Sequence, residues 1–109
     1  MTRRQFSLIC LFAQIGCNPA RLNDERASVE AGRARKEIAK ELRVGSPQSD
    51  VLNFLKRRAW LFDFDGFQRR FVGVVYRSPD RTHVVTAYIY LDEQEKMTHA
   101  EVEIAVKAL

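Results

Sequence analysis

The chain has little of what catalytic and metal-binding sites are usually built from. Only two cysteines, Cys10 and Cys17, occur among the 109 residues, and both lie within the first seventeen. A Cys-x-x-Cys redox or zinc motif is therefore excluded, and a domain downstream of Cys17 holds no internal disulfide. The two histidines, His83 and His99, have no cysteine, second histidine or acid at ligand spacing beside them. There is no nucleophile elbow and no phosphate-cradling glycine loop. Asp63 and Asp65 could serve as the paired carboxylates of glycoside chemistry, but a turn accounts for Asp65, and strand alternation with pairing to Arg70 accounts for Asp63. No apolar run reaches the roughly 20 residues needed to span a bilayer. These absences point away from an enzyme and imply no cofactor and no metal.

What is present begins at the N-terminus. Arg3 and Arg4 lead into the apolar run Phe6-Ser7-Leu8-Ile9-Cys10-Leu11-Phe12-Ala13-Gln14-Ile15, which ends on Gly16-Cys17-Asn18. A basic start, a short apolar middle and a small residue at the end form the pattern of an export signal. The pattern at Gly16 and Cys17 resembles that of bacterial lipoproteins, which are cut before the cysteine and acylated on its thiol. This implies a signal peptide over 1–16, lipidation of Cys17 and a tether over 17–23. Asn18 in place of aspartate is compatible with an outer-membrane position facing the periplasm. The other reading of 6–12 is a buried first strand of a cytoplasmic domain, since short apolar runs are not separable by periodicity. Removing Arg3 and Arg4 lowers the formal charge from +4 to +2, so part of the basic balance belongs to the leader.

From 24 to 43 the apolar positions Ala27, Ala31, Ala34, Ile38 and Leu42 recur at three- and four-residue steps, which predicts a helix. Its alanine-rich first half is expected to pack lightly. Gly45 suits a left-handed helix end. Pro47 suits the first turn of a second helix over 47–58, with Ser46 as its N-cap. Val51, Leu52, Phe54 and Leu55 form the buried stripe of that helix, and Lys56, Arg57 and Arg58 suit the negative end of its dipole.

After residue 59 the period changes to two. Trp60, Phe62 and Phe64 alternate with Leu61 and Asp63, and Asp65-Gly66 predicts a tight hairpin. A two-residue loop would set Phe64 against Phe67, Phe62 against Arg69 and Trp60 against Phe71. Gly73 marks a bulge or close packing. Ser78-Pro79-Asp80 predicts a turn, 84–91 a strand, and the alternation of Val102, Ile104 and Val106 a final half-buried strand. The expected fold is α+β: two N-terminal helices on an antiparallel meander of three to four strands, a two-layer sandwich occupying 24–109.

The stretch Leu42-Arg43-Val44-Gly45-Ser46-Pro47-Gln48-Ser49-Asp50-Val51, continuing to Leu55, resembles the helix-joining motif of the SmpA/OmlA (BamE-like) group of small outer-membrane lipoproteins. Gly45, Asp50, Val51 and Leu55 match, while Lys56-Arg57-Arg58 stands where the group commonly has Gly-x-Pro. The resemblance implies a β-lactamase-inhibitor-type fold and a non-catalytic role in an envelope assembly, such as the machinery that inserts outer-membrane barrels.

Arginines interleaved with aromatics provide the candidate partner surface, with Trp60, Phe67, Arg69 and Arg70 as its centre. Such a patch can anchor a protein interface. The plain alternative is that the aromatics fill the core and the arginines are solvated. The expected function is a lipid-anchored envelope module acting by protein binding. The alternatives are an inhibitor or immunity-type binder of a hydrolase or toxin, and a cytoplasmic nucleic-acid-binding domain.

Overall fold

The computed structural model describes residues 19–107, with side chains from residue 25 onward. Residues 1–16, read from the sequence as a leader, and Cys17 lie outside the described residues. Helix α1 (Pro19–Glu41) is followed by α2 (Gln48–Arg58), β1 (Leu61–Asp65), β2 (Arg70–Arg77), β3 (His83–Leu91) and β4 (Met97–Val106). The four strands form one antiparallel meander in the order β1-β2-β3-β4, and both helices pack on it. The expected α+β architecture is therefore observed, with the sheet at its larger strand number. Helix α1 starts at Pro19, inside the segment read as a tether, because nothing between 19 and 23 other than Pro19 itself opposes helix, and proline is tolerated in a first turn.

The core lies between the helices and one face of the sheet. Val51, Phe54 and Leu55 of α2 meet Ile38 and Leu42 of α1 above Phe71, Ala87, Ile89, Leu91 and Met97. The phenyl ring of Phe54 stands edge-on to Trp60, with centroids 5.5 Å apart. The alanine half of α1 is not lightly packed. Ala27, Ala31 and Ala34 are fully buried, the first two against Val85. Small side chains let the helix lie close to the sheet, and a register shift between Val74 and Tyr76 turns Tyr76 toward the helix, opposite Val85. Arg26 then lies 5.8 Å from the Tyr76 ring centroid.

The corner between the helices is tied to the start of β4. Gly45 takes φ 95 as expected, and its N–H donates to the Met97 carbonyl at 2.7 Å. The Met97 N–H in turn donates to the Ser46 carbonyl at 2.8 Å. Ser46 is not the N-cap of α2. Its hydroxyl accepts the Arg43 N–H at 2.9 Å, and Pro47 occupies the cap position with extended ψ 160 and no side-chain hydrogen bond. The pairing with β4 holds this corner extended through Pro47, so the helix starts one residue later than proline alone would allow.

A clamp of opposite charges joins the two helices. Arg57 pairs with Glu41 at 2.6 Å, and Arg58 pairs with both Glu37 and Glu41. Basic residues placed by the dipole of α2 thus also find partners on α1. The pairs are partly solvated, so each contributes up to about 1 kcal/mol.

At its other end α2 closes on Ala59, whose φ of 58 is left-handed and whose N–H donates to Lys56 O. Alanine is strained there by about 1 kcal/mol, whereas glycine is not. Ala59→Gly is expected to raise the unfolding free energy by about 0.5–1 kcal/mol, read from urea unfolding.

The β1–β2 hairpin differs from the tight turn expected at Asp65-Gly66. Asp65 pairs with Arg70, Phe64 with Phe71 and Phe62 with Gly73, leaving residues 66–69 as the loop. The Asp65 carboxylate accepts the Phe67 N–H at 3.0 Å and the Gln68 N–H at 3.4 Å, and Arg69, not Gly66, is left-handed with φ 53. Capping by its own side chain favours a wider turn over the primed two-residue turn. The slip is an even number of residues, so side chains that stay in the strands keep their expected face, while Phe67 and Arg69 pass into the loop. Phe62 and Phe64 still meet Phe71 edge-on, at 6.2 and 5.0 Å. Gly73 marks close packing: a Cβ there would meet Leu55 and Trp60 at 3.6 Å each.

Candidate binding surface

Strand alternation sends half of the sheet's side chains away from the helices. By register, that open face carries Asp63 and Asp65 of β1, Arg70 and Val72 of β2, Thr86, Tyr88 and Tyr90 of β3, and His99, Glu101 and Glu103 of β4. Arg70 sits at its centre. Its Nη1 donates to the Tyr90 hydroxyl at 2.9 Å and its Nε to Asp65 Oδ2 at 3.4 Å. Its guanidinium also lies 4.3 Å from the Tyr88 ring centroid and 5.6 Å from that of Tyr90. The far side of Tyr90 is covered by His99, stacked at 4.3 Å with ring planes 7° apart. The Tyr90 hydroxyl passes the chain on, donating to Glu101 at 3.5 Å.

The electrostatics fix the charge of two of these groups. The bond to the Tyr90 hydroxyl raises the Arg70 pKa, with Asp65 adding to it, so Arg70 stays charged. Burial, reinforced by the charge of Glu103, raises the pKa of Tyr88 and keeps its phenol neutral. The result is a pre-ordered arginine–tyrosine centre with the carboxylates of Asp63, Asp65, Glu101 and Glu103 around it.

The sequence-derived surface is divided among three places. Trp60 is half-buried against Phe54 on the helix side of the sheet, as the core reading required. Phe67 is fully exposed at the hairpin tip, with Arg69 beside it in the same loop. Arg70 alone reaches the open face. Asp63 does not pair with Arg70; its carboxylate accepts the Phe64 N–H at 2.8 Å, and Asp65 takes the arginine. Tyr88, Tyr90, His99 and Glu101 were missed by the sequence reading. Their signal is the same-face spacing of Tyr88 and Tyr90 on β3, which has meaning only when the strands on either side are in register.

Among the described residues, a serine, an aspartate and a histidine come together at one turn. Around the 78–83 turn, Ser78 Oγ and Thr82 Oγ1 each donate to Asp80 Oδ1 at 2.7 Å, while Ser78 Oγ accepts the His83 N–H at 3.0 Å. The Ser78 hydroxyl is buried and donates to the Asp80 carboxylate. His83 is not on the solvated surface. It is buried at the start of β3, and its Nδ1 lies 2.8 Å from the Thr82 hydroxyl. Among the described residues, no three His, Cys, Asp or Glu side chains converge to hold a metal ion. No described helix is long and apolar enough to cross a membrane.

The hydrogen bonds from Ser78 and Thr82 hold the Asp80 carboxyl at about 2, below its ordinary 3.8. The unfolded chain therefore takes up this proton first as pH falls. The contribution of the turn is expected to be complete above about pH 5 and lost progressively toward pH 2. Melting curves across that range test this, since Asp80→Asn should flatten the acid limb and leave a shallower loss of Tm.

No family model, no curated protein and no solved structure matches this chain.

Proposed function

We propose that this chain is a non-catalytic protein-binding module of a bacterial cell envelope, which offers the open face of its sheet to a partner. The observation that carries the reading is the Arg70–Tyr88–Tyr90 cluster, ordered before any partner arrives and left uncovered by both helices. Arginine and tyrosine are the residue types that concentrate binding energy at protein interfaces, and pre-ordering removes part of the entropy cost of association. The surrounding carboxylates favour a partner with basic side chains opposite them. They oppose a phosphate backbone, and the ring faces a base would stack on are occupied by Arg70 and His99. A nucleic-acid role is therefore disfavoured.

The envelope position rests on the leader pattern and the resemblance to the SmpA/OmlA group. In this reading residues 1–16 are removed and Cys17 carries the lipid, with the barrel-insertion machinery as the partner the resemblance implies. Several acyl chains anchor stably where one does not. Mass measurement of the native protein tests the position directly: loss of 1–16 together with added acyl mass is expected, and an intact unmodified Met1 in a soluble fraction would overturn it.

A photo-crosslinking phenylalanine at position 72, on the open face, tests the binding surface in the source cell. Position 53, exposed on α2, is the control. A discrete adduct is expected from 72 and none from 53. An adduct with membrane-barrel machinery supports an assembly role. A soluble enzyme or toxin captured instead would identify an inhibitor or immunity protein. Absence of any adduct from 72 would remove the proposed surface.

A further inference from the structure

A second surface lies where α1 overhangs the edge of β4 beyond Met97, whose own backbone is already paired with the corner between the helices. Between them runs a groove of about 620 Å³ with Ile38, Leu42, Met97 and Val102 in its lining, within the range of ligand-binding clefts. One wall is a ten-residue edge strand. Edge strands present unpaired backbone groups that can accept another strand. One such group is already in use: Arg35 Nη2 donates to the Val102 carbonyl at 3.2 Å. A side chain there fills the role that a neighbouring strand's N–H would fill.

The charge at the groove identifies its occupant. Two arginines, Arg35 and Arg43, line it against one acid, Glu101, and neither arginine is paired with a carboxylate among the described residues. Arg35 lies within α1 and Arg43 two residues past its end, and the helical part of that interval, 35 to 41, already spans about 9 Å. Two residues four apart on a strand are about 13 Å apart and point to the same side. We infer that this groove binds an extended peptide as a fifth strand on β4, with acidic side chains at positions p and p+4 meeting Arg35 and Arg43 and an apolar side chain at p+2 entering between them. Backbone pairing would supply affinity and the alternate side chains specificity. Arg35 would exchange the Val102 carbonyl for the incoming carboxylate. This groove meets the open face along β4, where His99 and Glu101 border both.

The test uses the described domain in its full chain and a labelled peptide, acetyl-Thr-Thr-Glu-Thr-Leu-Thr-Glu-Thr-Thr-amide, followed by fluorescence anisotropy and backbone amide NMR. Saturable binding is expected, weakened at least about tenfold when both glutamates are replaced by lysine, and by a similar factor in the Arg35→Gln/Arg43→Gln double variant. Amide shifts should concentrate on residues 98–104. Replacing the peptide's central Thr-Leu-Thr by Pro-Leu-Pro, which removes backbone donors, should abolish binding. The lysine and proline peptides probe the unmodified protein, so the outcome does not depend on the variant folding. Equal binding of the lysine peptide, shifts confined to β1, β2 and β3, or no saturable binding would each overturn the inference. So would a stable dimer in sedimentation with its two β4 edges paired, because a second copy would then be the occupant.

Discussion

Phe54→Ala is expected to lower the unfolding free energy by about 4 kcal/mol. Phe54 is completely buried at the junction of both helices and the sheet, between the Trp60 ring at 5.5 Å and the Arg58 guanidinium at 5.4 Å. Truncation loses the transfer energy of the ring and leaves a cavity that neighbours cannot close. Val51, Leu55 and Ile89 beside it are also fully buried and already in contact with other core residues. Domains of this size are stable by about 5–15 kcal/mol, so the variant approaches the unfolding threshold. Trp60, the only tryptophan, reports the transition by fluorescence, and circular dichroism supplies an independent probe. A loss below about 1 kcal/mol would mean that the two helices do not share this core.

Arg70→Glu is expected to weaken binding of the partner captured through position 72 by at least about 30-fold, corresponding to a hot-spot loss of about 2 kcal/mol. One guanidinium simultaneously bonds Tyr90, pairs with Asp65 and covers Tyr88. Removing it frees both rings to move, and a carboxylate in its place meets Asp65 at close range. Arg70→Gln separates these effects: it deletes the charge without adding repulsion and should retain more affinity than glutamate. Folding should change by less than about 1 kcal/mol in either variant, because the interactions are at the surface. Unchanged affinity in both would move the binding site elsewhere.

Punctuation made much of the fold legible from the residues. Gly45 and Pro47 end one helix and begin the next, and the change of period after residue 59 marks the sheet. Local chemistry suffices for such features because a left-handed glycine or a proline restricts the backbone whatever surrounds it. Register was not legible. The Asp65-Gly66 dipeptide suits a two-residue turn, but the Asp65 carboxylate caps the following amides and Arg69 accepts the left-handed conformation. Which solution wins depends on how Phe64 and Phe71 pack, a contact made across the hairpin.

The candidate surface was legible only at Arg70 for the same reason. Tyr90 and His99 are brought together by the β3–β4 pairing, and Arg70 and Tyr90 by the β2–β3 pairing. No spacing along the chain announces either. His83 illustrates the reverse case: beside Thr82 it looks solvated, and only the 78–83 turn folding over it makes it buried.

Hydroxyl-radical footprinting of the protein in the native cell fraction that holds it, compared with the purified chain, tests the central claim most directly. Labelling of Tyr88, Tyr90 and His99 should fall several-fold in the native fraction, while Val29, exposed on α1, is labelled equally in both. Equal labelling of the three open-face rings in both samples would contradict the account, because the face proposed to meet a partner would then be bare where the protein works.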